Sequence, residues 1–326
     1  MKFNYQEISQ NLLNTLPSRT KDVLERRFAL SGNDTKETLE SIGEDYDICR
    51  ERVRQIENKG IKKLKEKVDN YKEVFKYFKK YLKDNGGLKR EDLLLEEIGE
   101  GKEPQVFFLL NLGKDFIREK ESEELLALWT LDEKYIEKAK ELISFFEKEL
   151  ENKGDLITLE DVNLPSEFKD LEEGVIYSYI EISQNIGRNA ENEIGSTNWP
   201  EINPKRVKDK AYLVLKQKGE PLHFKDVATN IGEDALPQTV HNELIRDERF
   251  VLVGRGLYAL KEWGYKEGTV KDVIKQILEE SETPIAKKEL VKKVLDQRFV
   301  KRNTVLLNLN SGPFSKEGKG YTVKES

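Results

Sequence analysis

Apolar residues recur at helical spacing over much of the chain. The segments 74–82 and 136–150 each place apolar side chains on one face of a helix. Two shorter segments differ, because 250–260 (FVLVGRGLYAL) and 314–323 (FSKEGKGYTV) alternate like strands around a Gly-X-Gly turn. We therefore predict a mainly α fold with small β-hairpin wings.

A short motif recurs four times along the chain. An apolar residue, three variable residues, an acid and a second apolar residue begin at Leu88, Ile157, Leu222 and Ile285, at spacings of 69, 65 and 63 residues. Each copy follows an amphipathic segment and a Gly or Pro break. A winged helix has this order: a helix, a short extended segment, two more helices and a closing hairpin. The pattern predicts an array of winged-helix domains behind an N-terminal helix-turn-helix.

The last two copies are the most alike. Thr239, Val240 and Leu244 precede one hairpin as Thr304, Val305 and Leu309 precede the other, so 205–262 and 268–324 are predicted to be paralogous. Weaker hairpins are expected within 114–129 and 186–199. The predicted domains are a helix-turn-helix DNA-binding domain at 1–68, winged-helix-like repeats at 69–134 and, with an acidic composition, at 135–204, a winged helix at 205–264 and a C-terminal winged-helix-like repeat at 265–326.

Residues 38–64 predict two helices joined by a tight turn, the second beginning near Arg50. An apolar stripe at helical spacing would pack the two helices together. The stripe consists of Leu39, Ile42, Val53, Ile56, Ile61 and Leu64. A helix of this kind can enter the major groove of DNA.

The second helix carries side chains suited to reading DNA. Arg50, Glu51, Arg54 and Gln55 stand at offsets of zero, one, four and five and project from one side. Arg can pair with guanine, Gln with adenine and Glu with cytosine, each worth roughly 1–3 kcal/mol of discrimination. Residues 50–67 hold eight Lys or Arg against three Glu. A solvated helix face is the alternative, but this charge excess and the packing stripe favour DNA.

The segment LPSRTKDVLERRFAL, 16–30, together with TLESIG and RERVRQIE as far as Lys65, resembles region 4 of bacterial sigma factors, which reads the promoter minus-35 element. The resemblance implies that Arg50, Glu51 and Gln55 contact bases. Contacts to phosphate are expected from the family pattern and the local charge excess, at Thr38, Arg52, Arg54, Lys59, Lys62 and Lys63.

The same resemblance implies a contact between Leu24, Arg27 and Phe28 and the β-subunit flap of the RNA polymerase core. Two positions depart from the family, which usually has Gly in the turn and Thr as the cap, where this chain has Asp47 and Cys49. Asp tolerates a left-handed turn, whereas Cys is a poor helix cap. Since the family's promoter-melting regions lie upstream of region 4, we expect the chain not to open a promoter alone.

Residues 205–262 resemble the HARE-type helix-turn-helix domain, a winged helix also found in the polymerase delta subunit. That family occurs in chromatin and transcription proteins and in fusions to DNA-modifying enzymes, which implies proximity to DNA. Arg255 and Lys319, at the two hairpin turns, are possible wing contacts to phosphate. Simple solvation of these side chains is the alternative, and it is the commoner state of cations at loop tips.

The net charge of −6 is distributed unevenly. Residues 1–80 carry +4, residues 81–204 carry −16 and residues 205–326 carry +6. Exposed charges are screened beyond about 8–10 Å, so the acidic middle does not prevent a basic helix from meeting DNA. The acidic middle itself is expected to bind protein or nothing.

The composition argues against an enzyme. One Cys and two His are too few for a structural zinc site, and the acidic doublets have no His, phosphate loop or metal-ligand spacing beside them. We therefore expect no catalytic residue, metal, cofactor or small-molecule substrate. Neither a signal peptide nor a membrane span is evident, so the predicted location is cytoplasmic and nucleoid-associated, without a membrane partner.

The sequence thus predicts a transcription initiation factor whose partners are double-stranded promoter DNA and the RNA polymerase core. A second reading, motivated by the acidic block, is a delta-like polymerase adaptor that works through protein contacts without reading bases. A third, a DNA-processing enzyme, rests only on the HARE resemblance.

Overall fold

The computed structural model describes residues 3–32, 35–281 and 283–324. Helices dominate this part of the chain, as expected. They are α1 Tyr5–Leu13, α2 Ser18–Phe28, α3 Leu39–Asp45, α4 Arg50–Lys65, α5 Lys72–Asp84, α6 Glu91–Gly99, α7 Glu103–Leu112, α8 Glu133–Lys153, α9 Glu173–Ile180, α10 Val207–Lys218, α11 Phe224–Ile231, α12 Pro237–Arg246, α13 Val270–Glu279, α14 Lys287–Gln297 and α15 Arg302–Ser311.

The strands are short and form small antiparallel sheets. They are β1 Leu88–Arg90, β2 Ile117–Glu119, β3 Leu128–Thr130, β4 Ile186–Arg188, β5 Ile194–Ser196, β6 Leu222–His223, β7 Phe250–Gly254, β8 Leu257–Leu260, β9 Ile285–Ala286, β10 Phe314–Glu317 and β11 Gly320–Val323. The strand orders are β1-β3-β2, β4-β5, β6-β8-β7 and β9-β11-β10. All four predicted hairpins are confirmed.

The chain divides into two compact units, residues 1–197 and 198–326. Within the described residues, none of the helices combines the length and apolar character that crossing a bilayer requires. The predicted division into five domains is a finer one and stays a prediction.

The recurrent motif marks the first strand of each small sheet. Leu88, Leu222 and Ile285 begin β1, β6 and β9, each of which pairs with the last strand of its own sheet. The acidic copy differs, because Ile157 makes only an isolated bridge to Ile194. A 3-10 turn at Leu159–Asp161 follows it where a helix is found in the other copies. Pro165 contributes to this difference, since a proline disfavours helical backbone at the residue before it.

Helices α2, α3 and α4 form a small core of their own in the first unit. Val23, Ile42 and Val53 are fully buried at its centre, with Leu39, Tyr46, Ile48 and Ile56 packed around them. Gly43 allows the turn to close, because a Cβ there would lie 2.6 Å from the Ile48 carbonyl oxygen. Asp47 adopts a left-handed φ of 50°, so it takes the conformation that the sequence analysis expected of it.

A larger core in the first unit covers the other side of α2. It extends from Tyr5 to Trp129 and combines side chains of α1, α2 and α4 with those of α5, α6 and α7. Helix α7 is its centre, with Val106, Phe108, Leu109, Leu110 and Leu112 all fully buried. Burying five side chains of this size contributes roughly 1.5–3 kcal/mol each. The helix-turn-helix therefore rests on an apolar helix from the segment that follows it.

The second unit holds two sets of elements in the same order. Helix α10 to strand β8 forms one core and helix α13 to strand β11 forms another. Among the described residues, the sets are joined where the Phe299 amide donates to the Val253 carbonyl over 2.7 Å. Beside it, the buried Arg298 guanidinium donates to the carbonyl oxygens of Lys266, over 2.5 Å, and Gly268, over 2.8 Å.

The start of α4 can be stabilised by a better cap. Cys49 has the extended backbone of an N-cap residue but makes no side-chain capping bond. We expect Cys49→Ser to raise the free energy of unfolding of the helix-turn-helix by about 1 kcal/mol, since serine oxygen can accept an orphan amide. Amide exchange in α4 measures this. Cys49→Ala, which also lacks a cap, is the control, and equal protection in both variants would contradict the prediction.

The cover provided by α7 can be tested at Phe28. This side chain is 7% exposed, and its ring lies 5.2 Å edge-on from that of Phe108. We expect Phe28→Ala to lower the opening free energy of α2 and α7 by about 3–5 kcal/mol, because it leaves a cavity between them. Hydrogen exchange resolved by peptide measures the loss.

The control for this substitution is Phe299→Ala, in which the ring removed is 51% exposed. This substitution should lower the free energy of unfolding by less than about 1 kcal/mol. Similar small losses for both substitutions would show that α7 does not stabilise α2.

Candidate nucleic-acid interface

Helix α4 presents its polar side chains to solvent. Val53, Gly60 and Leu64 are buried against the rest of the domain. The residues predicted to touch DNA lie outside this buried stripe and are all exposed, namely Arg50, Glu51, Arg52, Arg54, Gln55, Lys59, Lys62 and Lys63. The fold therefore leaves the whole predicted reading face accessible.

The three predicted base readers are each held by a neighbour. Arg50 forms an ion pair with Glu40 at 3.5 Å, with both side chains more than two-thirds exposed. Glu51 accepts two hydrogen bonds from the Arg54 guanidinium, at 2.8 Å and 2.7 Å. The Arg54 partner lowers the pKa of Glu51, which keeps this carboxylate ionised. Exposed pairs of this kind contribute little to stability, so they can be exchanged for contacts to bases.

Gln55 is held in the same way. Its side-chain oxygen accepts a hydrogen bond from the Arg52 guanidinium over 3.0 Å. Because Arg52 and Gln55 are three positions apart, both lie on the same side of α4. The bond orients the Gln55 amide without burying it.

A basic cleft of about 450 Å³ runs between α4 and the start of α2. Four of its lining residues are cations, and each could meet a phosphate. The cleft is lined by Pro17, Arg19, Thr20, Arg52, Gln55, Ile56, Lys59, Gly60 and Lys63. The structure thus brings Arg52, Lys59 and Lys63, which were predicted for phosphate, to one place.

Arg19 is a member of this cleft that the sequence analysis missed. It belongs to α2, and its guanidinium lies 4.6 Å from the centre of the Tyr46 ring. Only the packing of α2 on α4 brings it near Lys59, because the two residues are forty positions apart. A lone arginine early in a helix gives no sequence signal of its own.

The approach of the two helices depends on Gly60. A Cβ there would meet Thr20 Cγ2 at 2.8 Å and Leu24 Cδ1 at 3.0 Å. Any side chain would therefore push α4 away from α2 and widen the cleft. This glycine sets the width of the basic cleft.

Arg26 ties α3 to α2 at the back of the interface. Its guanidinium donates to both carboxylate oxygens of Glu37, over 2.8 Å and 2.5 Å, and also bonds Asp45. The hydrogen bond to Glu37 is the main reason why the pKa of Arg26 is raised. Glu37 lies just before α3 and Asp45 is its last residue, so both ends of α3 are held against α2.

The other end of the reading helix is acidic. A second cleft, of about 420 Å³, lies beside the turn and is lined by Glu40, Gly43, Glu44, Asp47, Ile48, Cys49 and Arg50. Thr38, predicted to hold phosphate, caps α3 by accepting a bond from the Ser41 amide over 3.1 Å. Its role toward DNA stays a prediction.

Lys59, Lys62 and Lys63 differ from the paired cations near the start of α4. Within the described residues, none of these three lysines has a carboxylate oxygen within 4.0 Å. Their charge is therefore not cancelled by a close partner. This places free positive charge along the middle and last turns of α4.

The flap contact predicted at Leu24, Arg27 and Phe28 stays a prediction, and its two apolar side chains lie in the core of this fold. Leu24 is fully buried, and the Phe28 ring packs against Phe107 and Phe108 of α7. Arg27 is also occupied, since it pairs with Glu57 at 3.4 Å and donates to the Glu37 carbonyl. Contact of another protein with Leu24 or Phe28 would therefore require α7 to move away from α2.

The two wing residues lie where the sequence analysis expected them. Arg255 and Lys319 are both exposed at hairpin turns of the second unit. The turn around Arg255 is tight, because a Cβ on Gly256 would lie 2.6 Å from His223 Nε2. Contact of either cation with phosphate stays a prediction.

Residues 12–66 match the family model described as Sigma-70, region 4. Among relatives, RNA polymerase sigma factor RpoD of Neisseria gonorrhoeae is 40% identical over 65 residues, which is 20% of this chain and 10% of that protein. RNA polymerase sigma factor SigA of Microcystis aeruginosa is 45% identical over 60 residues, covering 18% of this chain and 14% of the relative.

A third relative gives the same picture. RNA polymerase sigma factor SigA of Clostridium acetobutylicum is 44% identical over 54 residues, covering 17% of this chain and 14% of its own length. The chain thus matches no more than about a seventh of the length of each of these curated relatives, and the family model covers residues 12–66. The matched family is a non-enzymatic transcription-factor domain. Residues 12–66 are therefore a Sigma-70 region 4 domain.

Proposed function

We propose that this chain is a sequence-specific transcription initiation factor that binds promoter DNA of the minus-35 type through α4. One observation carries the proposal: a region 4 domain leaves the reading face of α4 exposed beside a cleft lined by four cations. A surface that served only for solubility would not need this cleft. The sigma factor names of the relatives support the same reading.

In this proposal the first turns of α4 enter the major groove. Arg50 leaves Glu40 and donates two hydrogen bonds to a guanine, while the Gln55 amide pairs with an adenine. Glu51 accepts from a cytosine amino group, which frees Arg54 for a phosphate. Each step replaces an exposed contact within the protein by one to DNA, so the cost of release is small.

The basic cleft would hold one strand of the DNA backbone. Arg52, Lys59 and Lys63 approach it from α4, and Arg19 approaches it from α2. Lys62 adds a further charge on the exposed side of α4. Contacts of this kind fix the register of the helix in the groove, and they supply most of the affinity that does not depend on sequence.

The remaining chain would form an array of winged-helix domains, with the boundaries given by the repeats. In support, three of the small sheets share one strand order, with the third strand between the first and the second. Residues 205–262 would be the HARE-type member of the array. The acidic domain at 135–204 would be the most divergent, since its first strand is reduced to a single bridge.

We also propose that the chain works together with the RNA polymerase core, as the names of its relatives suggest. The β-subunit flap is the expected partner. Because α7 covers Leu24 and Phe28, the contact would use a different surface of the protein.

The base readout can be tested by Arg50→Ala combined with Gln55→Ala. We expect the preference for a minus-35 type duplex over a scrambled duplex to fall by about 2–6 kcal/mol, because two base pairs lose their partners. Competition gel shifts with the full chain measure this preference. An unchanged preference would show that α4 does not read these bases.

Lys59→Gln is the matched control for this measurement, since Lys59 lies on the same helix but is assigned to phosphate. It should weaken binding to both duplexes alike. It should also reduce the slope of log K against log salt by about one unit. A loss of binding to the minus-35 type duplex alone would mean that Lys59 contacts a base and not a phosphate.

Polymerase binding is a separate prediction. We expect immobilised core RNA polymerase to capture the full chain, and capture should persist for the Arg50→Ala, Gln55→Ala variant because these residues face DNA. Surface plasmon resonance without DNA measures the affinity of the unaltered chain and of the variant for the polymerase. The absence of any binding by the unaltered chain would remove polymerase from the proposal, leaving the DNA readout to stand on its own test.

A further inference from the structure

The second unit contains two modules with the same fold and different surfaces. The upstream module is residues 207–260, from α10 to β8, and the downstream module is residues 270–323, from α13 to β11. Matched through their strands and helix starts, six exposed or half-exposed positions are uncharged in the upstream module and cationic in the downstream one. The pairs are Phe224 and Lys287, Thr229 and Lys292, Asn230 and Lys293, Leu236 and Lys301, Pro237 and Arg302, and Leu252 and Lys316.

Helix α14 shows on which side this charge lies. Lys293 and Gln297 face α13, because they line a cleft with Ile277 and Glu280. Lys288 stands five residues before Lys293, which is about 140° around the helix, and therefore lies on the opposite flank. Helix α15 also packs on α14. Lys288 thus lies away from the flank of α14 that faces α13.

Two further cations stand at the start of α15. Lys301 is its cap residue and Arg302 is its first residue, and both are exposed. Lys292, four residues after Lys288, lies about 40° further around α14 on its exposed side. Exposed cations thus stand on two successive elements of the module, on α14 and at the start of α15.

The exposed face of α15 differs from an ordinary solvated helix. Val305 and Leu309 are buried, whereas Asn303, Leu307 and Asn310 lie on the opposite side. Leu307 is 68% exposed, which leaves a large apolar side chain in water. Asn can pair with adenine and an aliphatic side chain can contact the thymine methyl group, so these residue types suit base edges.

The closing hairpin brings more positive charge near the start of α14. In the pairing of β11 with β9, Gly320 lies opposite Ala286. Lys287 follows Ala286 and Lys319 precedes Gly320, so the two lysines lie at the same edge of the sheet. Across the described residues, neither lysine has a carboxylate oxygen within 4.0 Å, nor do Lys288, Lys292, Lys301, Arg302 or Lys316.

We propose that the downstream module is a second binding site for duplex DNA. Helix α15 enters the major groove, with Asn303, Leu307 and Asn310 at the base edges. Lys288, Lys292 and Arg302 hold the adjoining phosphates, and Lys319 reaches the backbone from the hairpin. An acidic protein would match the charge, but it would leave unexplained why the cations border a face of amide and aliphatic side chains.

The upstream module supports this assignment by contrast. Its matching helix, α12, begins after Glu233 and Asp234 and lacks a cation until Arg246. Two carboxylates therefore precede α12 where two cations begin α15, although Lys225 matches Lys288 and α12 also exposes Gln238, Asn242 and Ile245. Binding is assigned to the downstream module by its surface chemistry and not by its fold.

The test uses the full chain with α4 disabled by Arg50→Ala, Gln55→Ala and Lys59→Gln, so that the outcome does not depend on the promoter site. In this background, Lys288→Gln, Lys292→Gln and Arg302→Gln are combined, and anisotropy of a labelled 30-base-pair duplex is measured over a range of salt. The slope of log K against log salt should fall by about 2–3 units, since three phosphate contacts are lost. Weaker binding at low salt should accompany the change.

The control carries the same change of charge on the upstream module, with Lys210→Gln, Lys218→Gln and Lys225→Gln, all exposed. It should leave the slope within about half a unit of the background. Equal slopes for the two triple variants would overturn the proposal. So would a downstream variant that keeps its DNA affinity but loses binding to polyglutamate, because the surface would then fit an acidic protein.

Leu307→Glu gives a second measurement that does not remove a cation. The side chain is 68% exposed, so the substitution should leave far-ultraviolet circular dichroism unchanged. It places a carboxylate on the side of α15 that would face the groove, and we expect about a tenfold loss of duplex affinity. Undiminished binding would exclude α15 from the contact.

Discussion

The close packing of α4 against α2 is the constraint on which the DNA-binding surface depends. Gly60 lets the helices meet at Thr20 and Leu24, and the small core around Val53 fixes the rotation of α4. With its apolar stripe held in this way, α4 has only one face to offer to solvent. A helix with the same sequence but free to rotate could not hold its cations beside Arg19 in one cleft.

Coverage of the helix-turn-helix by α7 changes what the domain can contact. Leu24 and Phe28 could serve as an apolar docking surface in an isolated region 4 domain. Here they belong to a core that continues to Trp129, and their burial stabilises the domain from behind. The reading face is unaffected because it lies on the solvent side of α4. Stability and DNA binding are therefore assigned to opposite sides of the same three helices.

The two modules of the second unit show how one fold can carry different chemistry. Their cores are built from matching apolar positions, such as Val240 with Val305 and Leu244 with Leu309. Exposed positions are under no such constraint, since a change of charge there scarcely alters packing. Lys301 and Arg302 can therefore replace Leu236 and Pro237 without disturbing the fold. Shared topology therefore does not decide what either module binds.

The sequence by itself determined the helices, the turn at Asp47, the four hairpins and the exposure of Arg50, Glu51 and Gln55, because these follow from local periodicity and backbone preference. The copy of the motif at Ile157 departs from the predicted repeat. Its first strand is reduced to a single bridge, and Pro165 follows soon after it. Only the tertiary structure placed Arg19 in the basic cleft and buried Phe28 under α7. Both depend on contacts between residues far apart in the chain, and periodicity records which face of a helix is apolar but not what will cover it.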